Sequence, residues 1–223
     1  RQLEPRVIVL MNLFRDQLDR YGELEHLAER WRNMLTALPA TTQVVLNADD
    51  PGIADLADAH PGACFFGIED PSVGLAELPH AADTTRCRRC GAALTYDLVL
   101  LGHLGHWRCE ACGWSRPTPT IAATSVVLRG LEGIDLRVRT PEGEIAAHGV
   151  ALPGLHNAYN VTAAIAAARA IGVAADRIAP ALQATHAAFG RAERVAIGGR
   201  ELVVLLVKNP TGANEIVRTL QLD

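Results

Sequence analysis

The chain has 223 residues and a formal net charge of -4, and 49% of its residues are hydrophobic, enough for one large core or a domain and a half. The mild acidity excludes a global electrostatic pull toward nucleic acid or an anionic membrane. No apolar run is long enough to span a membrane, and "RQLEPRVIVL" lacks the three-part pattern of a secretory signal, so the expected location is the cytoplasm.

Lys208 is the only lysine, and the phosphate loop G-x-x-x-x-G-K-[ST] does not occur. The opening "RQLEP" and the helix-like last line "EIVRTLQLD" carry the expectation of a fragment. Val7 to Leu13, "VIVLMNL", reads as a buried parallel strand. Asp16 to Leu38 follows as a long helix, with Leu18, Leu24, Leu27, Trp31, Leu35 and Leu38 near helical spacing and Pro39 closing it. "TQVVLNADDP" is a second buried strand ending in Asn47, Asp49 and Asp50; Ile53 to Ala59 is a short helix, and "ACFFGI" a third strand. Strands alternating with helices predict right-handed crossovers and a parallel sheet.

Thr84 to Arg116 differs in composition and has little helical periodicity, so it is expected to fold around something other than a large core. Beyond it, "TSVVLRGLEGIDLRVRTPEGEIAAHGVAL" alternates as strands do, with "TPEGE" as a hairpin turn, predicting a small antiparallel sheet. "HNAYNVTAAIAAARAIG" and "AADRIAPALQATHAAFG" are Ala-rich helices with a Gly near each end. "ERVAIGGRELVVLLVKNP" gives a Gly-Gly hairpin and a final buried strand, and a second domain is expected to begin near Gly190.

Four of the five cysteines, Cys87, Cys90, Cys109 and Cys112, form C-x2-C-x18-C-x2-C, each pair followed by a glycine, Gly91 or Gly113. Two knuckles presenting four thiolates predict a tetrahedral structural Zn2+ site in a ribbon, with no open coordination position for catalysis. Two disulfides or a redox Cys-x-x-Cys fit a reducing compartment less well. His103 and His106 lie between the pairs and are expected in the loop joining two ribbon strands rather than on the metal. Arg86, Arg88, Arg89, Arg108 and Arg116 surround the knuckles; such a cluster is more often a solvated face than a nucleic-acid surface. Cys64, in an apolar strand, reads as a buried thiol.

Four ordered motifs resemble the Mur ligase family. "VIVLMNLFRDQLDRYGE" is similar to the strand that carries T-N-x-x-x-D-H-L-D-x-H-G, with Asn12, Asp16, Asp19, Tyr21 and Gly22 falling on it; "VVLNADDP" resembles the next family strand. "PGLHNAYNVTAAIAAA" matches G-x-H-N-x-x-N-x-x-A-A through His156, Asn157 and Asn160, and "FGRAERV" supplies Arg191 and Glu193 of G-R-x-E. The resemblance implies an α/β Mur ligase central domain, mostly parallel sheet flanked by helices plus a small antiparallel sheet, over residues 1–189, with the zinc ribbon inserted at 84–116. Residues 190–223 would begin a Rossmann-like C-terminal domain. It implies ATP and Mg2+ as cofactors, with Asn157, Asn160, Arg191 and Lys208 near the nucleotide. Helix capping is the competing role for the asparagines, and a surface strand end the competing role for Lys208.

Three departures narrow the branch. Gln17 takes the place of the family His, and the helix through Leu38 has no lysine; "LLVKNPTGANE" replaces the family's D-Y-A-H-x-P turn, with Leu205 and Leu206 where the acid would fall. With the ribbon, these features resemble the MurT-type amidating branch, which acts with a GatD-type glutaminase on the D-glutamate α-carboxyl of lipid II or a related muropeptide. That implies ammonia attacking an acyl phosphate, at the inner membrane face where the substrate is lipid-linked. The catalytic carboxylate is expected beyond Asp223. Two alternatives stay open: another Mur-fold ligase that adds an amino acid, or a non-catalytic zinc-ribbon adaptor for a partner such as RNA, although no nucleic-acid partner is expected.

Overall fold

The computed structural model describes residues 4–15, 24–79, 82–185 and 191–222, with backbone alone for 191–193. The expected helix from Asp16 is described only as α1, Leu24–Thr36; Asp16, Gln17, Asp19, Tyr21 and Gly22 lie outside the described residues. Before it comes β1 (Val7–Leu10), and after it β2 (Gln43–Asn47), α2 (Pro51–Ala54) with a 3-10 turn at Asp55–Ala59, and β3 (Cys64–Ile68). Asp50 caps α2, accepting from Gly52 N at 2.7 Å and Ile53 N at 3.2 Å, with Pro51 preset at the first helical position. The helix expected over Ile53 to Ala59 is thus a four-residue α turn that tightens into 3-10.

A β4–β5 hairpin (Thr95–Leu101, Leu104–Arg108) belongs to the inserted region. Then β6 (Ile121–Leu128), β7 (Ile134–Thr140) and β8 (Gly143–Val150) form a meander, followed by α3 (Leu155–Ala170) and α4 (Ala175–Gln183). The main sheet has the order β1-β2-β3-β6-β7-β8. Its first four strands pair in parallel and its last three antiparallel. The small antiparallel sheet read from the sequence is therefore not separate: β6 pairs on one edge with β3 and on the other with β7, fusing both halves into one mixed sheet. α3 packs on β1, β2, β3 and β6, and its Leu155, Ala158, Tyr159, Ile165 and Ala166 are buried, so its small side chains let it lie close to the sheet.

Two cores flank the sheet. One gathers Val45, Phe66, Ile68, Val126, Leu136, Tyr159 and Ile165; the other joins Leu35 of α1 to Val44, Leu46, Ile53 and Leu56. The first core also takes in Leu100, Leu101 and Leu104 of the insertion, so the insertion shares the main core instead of folding around the knuckles alone. Its apolar run Leu98 to Leu101 offers more apolar surface than a free ribbon could bury, and burial stabilises by about 25 cal/mol per Å².

The last elements are β9 (Arg191–Ile197), β10 (Arg200–Leu205) and α5 (Pro210–Leu220). Gly198 and Gly199 turn the hairpin with φ of 58° and 77°. The final strand was expected to be buried, yet Leu202 and Val204 are exposed: β10 pairs only with β9, and no second layer covers it among the described residues. No helix among the described residues is long and apolar enough to cross a membrane.

Candidate nucleotide cleft and metal centre

The two knuckles are built alike. Gly91 N donates to Cys87 O and Gly113 N to Cys109 O, each at 2.9 Å, and both glycines take left-handed φ, 77° and 75°. Cys87 N and Cys109 N close the outer turns on Ala92 O and Trp114 O at 2.7 Å. This brings all four Sγ atoms within 4.8 Å of one another, with Cys87 to Cys112 at 3.6 Å and Cys90 to Cys109 at 3.5 Å. A disulfide needs about 2.05 Å, whereas four sulfurs at about 2.3 Å from a tetrahedral metal stand about 3.8 Å apart. The spacing fits a four-thiolate metal site and no disulfide. His106 is bonded instead to Ile68 O at 2.8 Å, and His103 packs on Phe14 with ring centroids 4.7 Å apart.

All five arginines of the cluster are engaged within the chain. Arg86 donates to Gly91 O, Arg88 to Glu25 and Arg89 to Asp58, each at 3.1 Å, and Arg89 also lies over Trp114. Arg108 pairs with Asp97 and Glu110. Arg116 reaches Asp49 Oδ1 at 2.6 Å and Glu69 Oε1 at 2.8 Å. Four of the five, all but Arg86, meet acids of the same chain, which leaves little of their charge for phosphates.

The Asp49 carboxylate is fully buried and accepts from Arg116, Ile68 N at 2.9 Å and Tyr159 O–H at 2.8 Å. Burial pushes it above the usual carboxylate range against the pull of these donors. Gly67 makes the room: a Cβ there would lie 2.7 Å from Asp49 Oδ1 and 2.8 Å from Arg116 Nη2. This network was not anticipated from the sequence; the only local signal was the acidic pair closing "NADD".

Its neighbour Asp50 shifts the other way. Burial works to raise it, but His103, with Nε2 3.3 Å from Oδ2, and bonds from Leu13 N and Gly52 N outweigh burial and hold it below its ordinary 3.8. A carboxyl depressed in the folded state contributes stability that is present above its unfolded pKa and lost as pH falls through the folded one. Asp50→Asn is therefore expected to be less stable than the parent at neutral pH and to converge with it as pH falls through the depressed folded-state pKa of Asp50. Urea midpoints across that range measure this, and parallel curves would remove Asp50 as the source.

A cavity of about 270 Å³ opens between α3, the β4–β5 turn and the segment after β10. It is lined by Asn12, Phe14, Leu101 and Leu104, by His156, Asn157 and Asn160 from α3, and by Lys208, Asn209, Thr211 and Glu215. Asn157 is not the helix cap. That position is Gly154, which makes no side-chain bond, and the first free amide, Leu155 N, is taken at 2.5 Å by Glu215 of α5. Asn157 Nδ2 donates to Pro153 O at 2.7 Å, and Asn160 Nδ2 donates to Asn157 Oδ1 at 2.9 Å. The two asparagines thus form a linked amide pair on the cleft wall. Asn209 caps α5 by accepting from Gly212 N at 2.8 Å, and the exposed Lys208 precedes it. Arg191 starts β9, and its side chain lies outside the described residues.

The sequence profile of the Mur ligase middle domain matches residues 1–105. The chain also superposes on a pseudomurein peptide ligase type C from Methanothermus fervidus with a TM-score of 0.78 at 28% identity, covering 97% of this chain and 41% of that one. The fold is that of a Mur ligase middle domain. Among curated proteins, it is 32% identical over 222 residues to the lipid II isoglutaminyl synthase (glutamine-hydrolyzing) subunit MurT of Streptococcus pneumoniae, covering 99% of this chain and 48% of that one. The MurT subunit of Staphylococcus aureus strain COL is 26% identical, with 96% and 46% covered. The chain thus spans about half the length of these MurT relatives.

Proposed function

We propose that this chain is the central portion of a MurT-type ligase subunit that amidates the D-glutamate α-carboxyl of lipid II or a related muropeptide to D-isoglutamine. The observation that carries the reading is the 32% identity to a MurT subunit across nearly the whole chain, ribbon included. Residues 1–189, with the ribbon at 84–116, form the central domain in this reading, and 190–223 open the C-terminal one.

The chemistry follows from the weakness of a carboxylate as an electrophile. A carboxylate oxygen takes the γ-phosphoryl group of ATP, ADP leaves, and ammonia then displaces phosphate from the acyl phosphate to give the amide. Catalysis of such a transfer is positioning and charge stabilisation. In the cleft, the Asn157–Asn160 amide pair supplies donors and acceptors suited to a base edge. Lys208 faces them with a positive charge suited to phosphate, joined in this reading by Arg191. Mg2+ would supply charge neutralisation on the phosphates when bound. The catalytic carboxylate belongs to sequence beyond Asp223. Ammonia comes from a GatD-type glutaminase.

The full-length protein, mixed with its glutaminase partner, ATP, glutamine and lipid II, should convert one substrate carboxylate to a carboxamide by mass spectrometry. Ammonium salts should replace glutamine. A product carrying an added amino acid would instead make it an amino-acid-adding ligase, and no ATP-dependent product with either donor would end the reading.

For the four-cysteine site the chemistry of the donor set favours zinc: soft thiolates at tetrahedral spacing with no open position. Purified protein is expected to carry one equivalent of zinc by elemental analysis, with chelation exposing four titratable thiols beyond Cys64. A metal-free protein with the ribbon still folded would refute a structural metal.

A further inference from the structure

The ribbon hairpin is not a remote ornament. It lies across the carboxyl ends of β2 and β3: Gly105 N donates to Asp49 O at 3.0 Å, Trp107 Nε1 to Ala48 O at 3.1 Å, and His106 bonds Ile68 O. In open parallel sheets, ligands bind outside those strand ends. Here the hairpin fills that place and its tip becomes part of the cleft wall, through Leu101 and Leu104. The turn itself is pinned. Gly102 has φ of 59°, and a Cβ there would lie 2.7 Å from the Phe14 ring and 3.2 Å from Thr211 of α5. Arg218 of α5 also donates to Leu100 O at 3.3 Å and to Val73 O at 2.6 Å.

A second connection leaves the other end of the ribbon. The chain after the knuckle of Cys112 delivers Arg116 to Asp49, and Asp49 receives the hydroxyl of Tyr159. Tyr159 sits between Asn157 and Asn160 on α3. One strand end of the ribbon therefore forms a cleft wall, and the other holds the helix that carries the asparagine pair.

We infer that the ribbon is a positioning device for the cleft: metal bound by Cys87, Cys90, Cys109 and Cys112 fixes the β4–β5 tip and Arg116, and through them the first turns of α3, so that metal loading sets nucleotide affinity. Arg116 and Tyr159 are positioning residues. The inference rests on the nucleotide reading of the cleft. A structural metal's binding energy is the folding energy of the segment it closes, and its loss releases both connections together. Linkage requires the effect to be reciprocal, so nucleotide must tighten the metal by the same factor.

The test compares the full-length protein loaded with zinc and stripped by chelator, using amide hydrogen exchange without nucleotide, then calorimetric titration with a non-hydrolysable ATP analogue. Stripping is expected to speed exchange in residues 101–104 and 155–160 as well as in the knuckles, and to weaken the analogue by about tenfold, within the usual range of coupling between sites. The analogue should slow zinc extraction correspondingly. Tyr159→Phe, which keeps all four cysteines, should retain zinc, show the faster α3 exchange already in the loaded state, and respond little further to stripping. If stripping speeds exchange in the knuckles alone, or if Tyr159→Phe responds to it like the parent, the inference is overturned. Should the loaded parent fail to bind the analogue, the nucleotide reading fails, and the exchange data still decide the coupling.

Discussion

Arg116→Met is expected to destabilise the protein by about 3–5 kcal/mol, the cost of removing one partner from a buried ion pair. Asp49 has no exposed surface and the Arg116 side chain is only 10% exposed, so no water can replace the guanidinium. The remaining donors, Ile68 N and Tyr159 O–H, cannot neutralise the charge, and burial then drives the carboxyl further up. A carboxyl raised in the folded state favours folding at low pH, and that advantage is lost as pH rises through its folded pKa. The variant should therefore lose more stability at pH 8 than at pH 5. For a chain of this size the melting temperature should fall by roughly 10 °C. The exposed pair Arg137–Glu144, at 3.5 Å, provides the contrast: Arg137→Ala should change stability by no more than about 1 kcal/mol. Thermal scans of both variants at the two pH values check the claim, and equal losses would show that burial of the Asp49 pair does not govern its cost.

Lys208→Met is expected to weaken binding of ATP or its analogue to the full-length protein by about 10- to 100-fold, the worth of one charge-assisted bond to phosphate. The residue is exposed and lines the same cavity as the Asn157–Asn160 pair, so its loss should leave the melting temperature of the nucleotide-free protein unchanged. Calorimetry with ATP and with adenosine separates the roles: adenosine affinity should survive the substitution, whereas Asn160→Ala should weaken both ligands. An unchanged affinity for ATP would place Lys208 outside the phosphate site.

The parallel half of the fold was legible because strands packed on both faces read as unbroken apolar runs, as in "QVVLN", buried from Val44 on, and "VIVL", half-buried up to a buried Leu10. The four-cysteine cluster was legible for a different reason: its thiols lie on two short knuckles whose local spacing could be read directly. What eluded the sequence is long-range. Asp49 meets Arg116 and Tyr159 across separations of 67 and 110 residues, and no local periodicity encodes such a meeting. The docking of the ribbon hairpin was equally hidden, because Leu100, Leu101 and Leu104 join the same core as Phe66 and Tyr159, far away in sequence. Asn157 shows why the competing capping role fails. A good capping residue near a helix start does not cap when Glu215, 60 residues later, already occupies the first amide.

Lys208 has one more use. As the only lysine in the sequence, and one that stands at the mouth of the cleft, it turns amine chemistry into a local reporter. Within these 223 residues an acylating dye or an amine-directed crosslinker has one side-chain amine to find, so a label located there by peptide mapping sits beside whatever enters the cavity. Its protection by added ligand would then read occupancy directly.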